Sequence, residues 1–562
     1  MSHATDCRSA RRVFTQSRSR LFGPPSLTLF ACIYCVERTV LRRLRNGGIE
    51  YANTLRALTV LLLIVAPAHA AEFSRSIYAE HCAVCHGDGF EGAAQGVALV
   101  GRELVDGDSI DAIVASIANG NPAKGMPAWT DALDDQAIKA LALLIAEHRT
   151  RLSVDHLMAQ YIPDGSEWTL PSGPLTTQLH TVTIELVAEG LGGQAAAYPK
   201  PYSIAVRPDG SILVTETTPG MRIVSPAGRI SDYVAGTPRT DLDAPDRPYE
   251  GDAKRGAGWM LDVALHPEFA ENRWLYLHYT ERCSACGTVD ASEQNPLTSR
   301  NVLVRGRIRD GHWVDEEKIW QAPTYDASTW GDAVTGGRIA FDDNGHVFIT
   351  AGMRSMDGIQ DLGTAYGKTH RLHDDGRIPA DNPFVGVPGA LSTIWTYGHR
   401  APQGLAYDHE TRNAWNTEHG PRGGDELNRL LPGRNYGWPL FSAGLNYDGT
   451  EVAWGRARSE IELEDTERAA KAWAPSIAVS NLVVYEGAAF PEWQGDLLIG
   501  SLKASDLVRV EVEDGRVVGE ELLLEDLARI RDIDVDERGW IYLLLEHQTG
   551  GRIVRLKPAP IE

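Results

Sequence analysis

An all-β six-bladed β-propeller, preceded by a small all-α domain, is the architecture that the 562-residue sequence predicts. Three observations carry that expectation. From about residue 170 the chain is mostly short apolar runs broken by Gly, Asp and Pro. Six segments of that stretch share one shape, a strand entering an acidic or Gly turn and then a second strand. Ahead of it, helical patterns over Ser74–His81 and Asp134–His148 flank a Cys-x-x-Cys-His motif.

The six segments are Ile204–Thr215, Val263–Tyr279, Ile339–Thr350, Leu405–Thr417, Phe490–Ser501 and Ile533–Leu545. Asp209-Gly210 and Asn344-Gly345 are turns that permit positive φ, and the alternating apolar residues give each sheet a face to pack on its neighbour. The spacing is irregular, as loops of different length between equivalent hairpins would make it. Six hairpin-bearing repeats over this length predict six blades. A β-sandwich is the structural alternative, but such a domain needs only about 100 residues.

Composition sets the outer limits. A chain with 43% hydrophobic and 23% charged residues is globular rather than disordered. Residues 1–70 hold ten Arg and three acids, a balance of +7 against −22 for the whole, so residues 71–562 carry −29. An acidic body of that size repels phosphate backbones, and no basic patch with interleaved aromatics offsets it, which excludes nucleic acid as a partner. Within the first seventy residues, Arg56 precedes the apolar run Leu58–Ala66, and Ala68-His69-Ala70 follows it. That order describes a secretory signal cleaved after Ala70 or Ala71. A transmembrane anchor is the alternative, and the run is short of the about 20 residues that a span needs. The expectation is export to the periplasm, with no stable membrane span after cleavage.

Cys82-Ala83-Val84-Cys85-His86 is the attachment signature of a c-type haem, in which two thiols add across the porphyrin vinyls and the adjacent His ligates iron. A disulfide or a zinc knuckle is the alternative, and zinc needs two further nearby ligands. Met126 sits in the Gly/Pro loop Lys124–Trp129 and is the candidate sixth ligand, a thioether that raises the reduction potential. Residues 71–150 resemble a small monohaem cytochrome c. The other Cys-x-x-Cys, Cys283–Cys286, lacks a following His and reads as a local disulfide.

Three runs give the rest of the chain a family likeness: Gly398-His399-Arg400-Ala401-Pro402-Gln403-Gly404, then Glu418-His419-Gly420-Pro421-Arg422-Gly423-Gly424-Asp425-Glu426-Leu427-Asn428, then Asn435-Tyr436-Gly437-Trp438-Pro439. Over roughly residues 185–558 the chain resembles the soluble sugar dehydrogenases that depend on pyrroloquinoline quinone (PQQ), the glucose/sorbosone or aldose sugar dehydrogenases. The resemblance implies PQQ, whose three carboxylates need cations and whose ortho-quinone needs polarising. Lys503, Arg529 and Arg531 match the family's cofactor clamp, and Arg400 its quinone-side Arg. Gly420 and Pro421 match the carbonyls that hold an active-site Ca²⁺, a hard ion suited to oxygen. Trp473 is the candidate stacking residue over the cofactor.

Departures from the family pattern cluster at its catalytic end. Val334 stands where the family places its general base, a His. Gly352-Met353-Arg354 replaces a Gly-Asp-Arg, Ala401 an Asn, and Ala257 a cofactor-contacting Gln. Asp332 and His419 are the candidates to take over as base, with Arg400 as the third catalytic residue.

The implied domains are a leader (1–70), a monohaem cytochrome c domain (71–150), a linker leading into the propeller (151–184) and the propeller (185–562). The implied function is a periplasmic quinohaemoprotein: a sugar or other alcohol is oxidised with PQQ, electrons pass to the fused haem, and a downstream periplasmic acceptor takes them. A catalytically degenerate propeller that binds PQQ or carbohydrate, with the haem as an electron relay, is the alternative. A Ca²⁺-dependent propeller lactonase is a third reading, against which the Lys/Arg clamp argues.

Overall fold

The computed structural model describes residues 65–153, 169–192, 200–239, 258–283, 297–328, 331–547 and 550–560. The expected leader up to residue 64, Ala257 and Cys286 lie outside the described residues. Ala66–Glu562 form one compact unit that holds both the helical domain and the propeller.

The helical domain is built from α1 (Val65–His81), α2 (Ala83–His86), α3 (Ile110–Asn119) and α4 (Asp135–Arg149). Asp134 caps α4, its Oδ1 accepting from the Ala137 amide at 2.8 Å, which satisfies one of the helix's orphan donors. The third helix was not expected, although Ile110, Ile113, Val114 and Ile117 keep a helical apolar period; Ser109 caps it, its Oγ accepting from the Ala112 amide at 3.2 Å. Tyr78, Phe90, Ile113, Ile117, Ile138 and Leu141 close the small core. No helix among the described residues is long and apolar enough to cross a membrane.

The propeller consists of six antiparallel sheets. Their inner strands are Pro201–Val206, Met260–Leu265, Gly336–Phe341, Pro402–Asp408, Val479–Val484 and Arg529–Val535, for blades 1 to 6 in that order. Each inner strand packs on the next, and blade 6 packs on blade 1, so the ring is closed. Closure is also made by hydrogen bonds. Thr181–Leu191 adds to the outer side of blade 6 by pairing antiparallel with Gly551–Pro558, Ile184 opposite Leu556.

Five of the six expected hairpins are blade hairpins. The fifth segment, Phe490–Ser501, is not: only Leu497–Ser501 is a strand, and its partner is Val479–Val484. Pro491 starts a one-turn 3₁₀ helix instead. Phe490 and Trp493 stack there with centroids 4.6 Å apart and fill the core between blades 5 and 6. An aromatic plug at the end of a blade has the same apolar density as a strand, which is why the two look alike in sequence.

At the axis, all six inner strands meet on one guanidinium and the two carboxylates that it holds. Arg338 of blade 3 donates Nη1 to Asp532 Oδ1 of blade 6 at 2.9 Å and to Asp262 Oδ1 of blade 2 at 3.2 Å. Its Nε donates to the Gln403 carbonyl of blade 4 at 2.7 Å. Ser203 Oγ and the Ile204 amide of blade 1 donate to Asp262 and Asp532 at 2.5 and 2.6 Å, and Asn481 Nδ2 of blade 5 donates to Asp532 at 2.5 Å. Two carboxylates thus share one guanidinium. Burial pushes Asp262 up to about 6 and Asp532 upward too, while Arg338 pulls each back.

Replacing Arg338 with Met leaves two buried carboxylates without their cation. The expected loss is about 3–5 kcal/mol of folding free energy, the cost of removing one partner of a buried pair, read as a lower denaturant midpoint. An unchanged midpoint would show that the hub does not hold the ring.

Candidate functional site

The haem motif lies at the junction of α1 and α2. Cys82 and Cys85 are both free thiols here, as addition to a porphyrin needs. His86 Nδ1 lies 2.7 Å from the Val97 carbonyl. A carbonyl only accepts, so Nδ1 carries the proton and Nε2 the lone pair, the tautomer that a proximal ligand needs. Gly96 lets the backbone come this close: a Cβ there would meet the Cys85 carbonyl oxygen at 2.4 Å. These residues fit a covalently held haem. Met126 sits in a tight loop closed by paired backbone hydrogen bonds with Asn121 (2.8 and 3.1 Å), turned by Gly125 at φ +88°.

On the propeller, Arg529 and Arg531 leave the same strand of blade 6 toward one carboxylate. Glu546, on the neighbouring strand and directly opposite Arg529 in register, accepts from Arg529 Nε at 3.1 Å and from Arg531 Nε at 2.7 Å. Arg529 Nη1 also donates to the Leu502 carbonyl at 2.9 Å, which ties it to the backbone next to Lys503. Burial works against the Glu546 charge, but Arg531 and Arg529 outweigh it and hold the carboxyl down at about 2. For Lys503, burial is the larger effect and lowers its pKa, with Glu147 and Asp425 opposing. Two guanidiniums on one carboxylate leave a net positive charge in an otherwise acidic protein. That donor set fits a polyanion.

A second group of residues lines a pocket beside blades 3 and 4: Arg400, His419, Gly420, Glu426, Tyr436 and Trp438. Arg400 Nη1 donates to the His419 and Gly420 carbonyls at 3.0 and 2.9 Å, and its guanidinium lies 5.2 Å from the Trp438 ring centroid. Arg400 Nε and Trp438 Nε1 are buried donors with no hydrogen-bond partner among the described residues. Two unmatched N–H groups on one pocket are costly unless an acceptor-bearing ligand completes them. His419 lies 2.7 Å through Nε2 from the Val479 carbonyl, so that nitrogen is the donor and Nδ1 keeps the lone pair. Burial lowers the His419 pKa and Arg400 adds to this against Asp425, so the ring is neutral near pH 7.

Several expectations need correction. Asp332 is a buried structural acid: Oδ1 accepts from Ser299 Oγ at 2.7 Å and Arg354 Nη1 at 2.8 Å, and Oδ2 from the Gly258 amide at 2.7 Å and from Thr280 Oγ1. With its lone pairs spent and its charge matched by Arg354, it is not available as a base. Trp473 does not offer a stacking face either. It lies on the outer strand of blade 4, packs among Trp415, Val479 and Val508, and donates Nε1 to Glu520 at 3.1 Å. The Gly420 carbonyl expected to bind Ca²⁺ accepts from Arg400 Nη1 at 2.9 Å, which leaves it one lone pair for a second partner. Val334 packs with Met353, Ile359, Trp438 and Val452, so the family's catalytic end is apolar here. Cys283 is disulfide-bonded, as expected.

Sequence reasoning missed Glu546, Trp438 and Glu426. Glu546 was reachable by extending the register of the Ile533–Leu545 hairpin outward. Trp438 lay inside the Asn-Tyr-Gly-Trp-Pro run without a role. Burial, then the neighbouring Glu418, pushes Glu426 up to about 8, and no pattern of residue types forecasts that.

With this geometry in place, comparison with known proteins is decisive for the family. The sequence profile of Glucose / Sorbosone dehydrogenase matches residues 198–555. The chain belongs to the glucose/sorbosone dehydrogenase family. In this family member, residues 70–145 match the profile of cytochrome c oxidase, cbb3-type, subunit III, so an N-terminal cytochrome c domain is fused to the propeller. The aldose sugar dehydrogenase YliI of Escherichia coli is 34% identical over 383 residues, covering 67% of this chain and 93% of that protein. Quinoprotein glucose dehydrogenase B of Acinetobacter calcoaceticus is 24% identical over 383 residues, covering 56% and 75%. The apo crystal structure of the soluble aldose sugar dehydrogenase from Escherichia coli superposes with a TM-score of 0.58 at 32% identity, covering 67% of this chain and all of that one.

Because Glu546 is held far below the 4.5 of a free Glu, its stabilising charge is fully present above pH 4.5 and is lost as pH falls toward 2. Glu546→Gln should cost on the order of 3 kcal/mol at pH 7 and flatten the fall of stability below pH 4.5. Equal pH slopes for variant and parent in denaturant titrations would remove Glu546 from this role.

Proposed function

We propose that the protein is a periplasmic quinohaemoprotein dehydrogenase that oxidises an aldose or other alcohol with PQQ and passes the electrons to its own haem c. The observation that carries this reading is the pair of buried, unmatched donors, Arg400 Nε and Trp438 Nε1, on the same pocket as a neutral His419. When bound, PQQ supplies an acceptor for the hydride of an alcohol carbon, and haem c supplies one-electron transfer.

The chain's own residues do the rest. Arg529, Arg531 and Lys503 hold carboxylates, with Glu546 fixing the two guanidiniums in place. Arg400, already ordered by two carbonyls, presents its remaining N–H to developing negative charge on oxygen. His419 takes the substrate hydroxyl proton on Nδ1, since Nε2–H is committed to Val479. In the haem domain, Cys82 and Cys85 would hold the porphyrin, and His86 Nε2 and the Met126 thioether would ligate its iron, which supplies one-electron transfer. The acceptor beyond the haem is a periplasmic redox partner. The degenerate-binder reading draws on a specific observation too, the apolar cluster around Val334 where the family keeps its base.

A PQQ titration of the haem-loaded protein, with Ca²⁺ and separately with a chelator, followed by aldoses and simple alcohols, tests both readings. Saturable binding and substrate-driven growth of the reduced haem band support the dehydrogenase. PQQ binding with no haem reduction by any substrate supports the degenerate binder, and no PQQ binding overturns the dehydrogenase and leaves only the carbohydrate-binding form of the second reading. In an active enzyme, His419→Gln should lower kcat by about 10²–10⁴-fold, the worth of a positioned general base, with KM little changed. A kcat within twofold of the parent would exclude His419.

Covalent haem has its own check. Cys82→Ala with Cys85→Ala should abolish the haem band that survives denaturing electrophoresis, and retention of the band would overturn the attachment site.

A further inference from the structure

Arg422 directly follows Pro421, yet none of its donors serves the pocket. Its guanidinium crosses to the haem domain. Nε donates to Glu147 Oε1 at 3.1 Å and Nη2 to Glu147 Oε2 at 2.8 Å, a two-pronged pair with the last turn of α4. Nη1 donates to Ser74 Oγ of α1 at 3.0 Å. Arg422 and Glu147 are 8% and 5% exposed, so the pair is removed from water. Close packing surrounds it. A Cβ on Gly423 would come within 3.7 Å of Leu143 of α4, and one on Gly449 within 3.0 Å of Phe73 of α1. Glu147 also acts electrostatically on Lys503 of the clamp.

A buried ion pair adds little net stability, because desolvation offsets its attraction, but its fork geometry fixes one relative orientation. A tether alone gives a second domain an effective concentration without an orientation. The contact joins the last turn of α4 to the loop that carries Gly420 and Pro421.

We infer that Arg422 and Glu147 are positioning residues that dock the haem domain on the clamp side of the propeller and so set the rate of electron passage between the two. The inference rests on the quinohaemoprotein reading for its rate but not for the docking itself. Electron transfer weakens exponentially with distance, so a docked haem exchanges electrons far faster than a tethered, undocked one. The electron balance is that of the proposed reaction: two electrons from one alcohol leave for the haem one at a time, and the external acceptor takes each from haem iron.

The test uses the full-length, haem-loaded protein and three forms: Glu147→Arg, Arg422→Glu and the double charge swap. Two readouts are kept separate. The first, made without PQQ or sugar, is hydrogen–deuterium exchange along α4. Each single variant should raise exchange there, and the double swap should return it toward the parent. The second is substrate-driven haem reduction by stopped flow, beside oxidation linked to a small diffusible dye. Glu147→Arg should slow haem reduction at least about tenfold, as expected when a buried charge pair across an interface is broken, while dye-linked oxidation, read at saturating PQQ so that any weakening of the Lys503 clamp is overcome, stays within about twofold. Unchanged exchange in both single variants overturns the docking. Raised exchange with unchanged haem reduction overturns the positioning role. Loss of dye-linked oxidation in the parent itself would sink the quinohaemoprotein reading, and the exchange data would still decide the docking. Should either single variant fail to fold, Arg422→Met read by the same exchange experiment replaces it.

Discussion

Arg338 is the point at which six separate sheets become one body. Its guanidinium and the two carboxylates beside it draw a hydrogen-bonding group from every inner strand, so none of the blades can rotate about the axis without breaking a buried polar contact. Such a group is expensive to bury and gains only if every lone pair is matched, as here. The result is positional accuracy. Arg531 contributes its carbonyl to Arg338 Nη2 at 3.2 Å while its own side chain belongs to the clamp, so hub and clamp share a residue. Arg400 stands two residues upstream of Pro402, the start of the inner strand that supplies Gln403. The site inherits its geometry from the axis.

Around that frame the protein spends acids sparingly and to effect. One carboxylate, Glu546, orients two arginines and still leaves positive charge over. One acid, Asp332, ties blade 2 to blade 3 through Ser299, Thr280 and Arg354. Where the family keeps a base, Val334 and Met353 have joined Trp438 in an apolar cluster, so the proposed dehydrogenase needs its base elsewhere. His419 is the group in the pocket whose hydrogen bonding leaves a lone pair on a neutral ring.

Much of this was legible in the sequence, and the reasons for what was not are physical. Asp-Gly and Asn-Gly turns report backbone angles locally, which is why five hairpins were readable. The Phe490–Trp493 plug was mistaken for a strand because apolar density does not distinguish filling a core from forming a ladder. The haem motif is contiguous and was read directly. Asp332 looked like a spare base because its four partners come from residues 258, 280, 299 and 354, far along the chain. Trp473 kept the right neighbours in sequence and turned its ring between two blades. Glu147 and Arg422, 275 residues apart, carry no local mark of their pairing at all.

The strand Thr181–Leu191 bears on how the chain can be divided. It lies on the far side of the linker from the haem domain, yet it is hydrogen-bonded into the sheet whose inner edge carries Arg529 and Arg531. The propeller therefore begins in structure well before the first strand of its first blade. A gene fragment cut to begin at the first blade, near Pro201, would keep the ring of inner strands and still leave blade 6 with a bare outer edge on Gly551–Pro558. An exposed edge of that kind invites pairing with another molecule. A propeller that is separable as a working part has to carry the two outer strands of its last blade, Leu175–Thr176 and Thr181–Leu191, at its own beginning, so that the two domains come apart cleanly only upstream of Leu175.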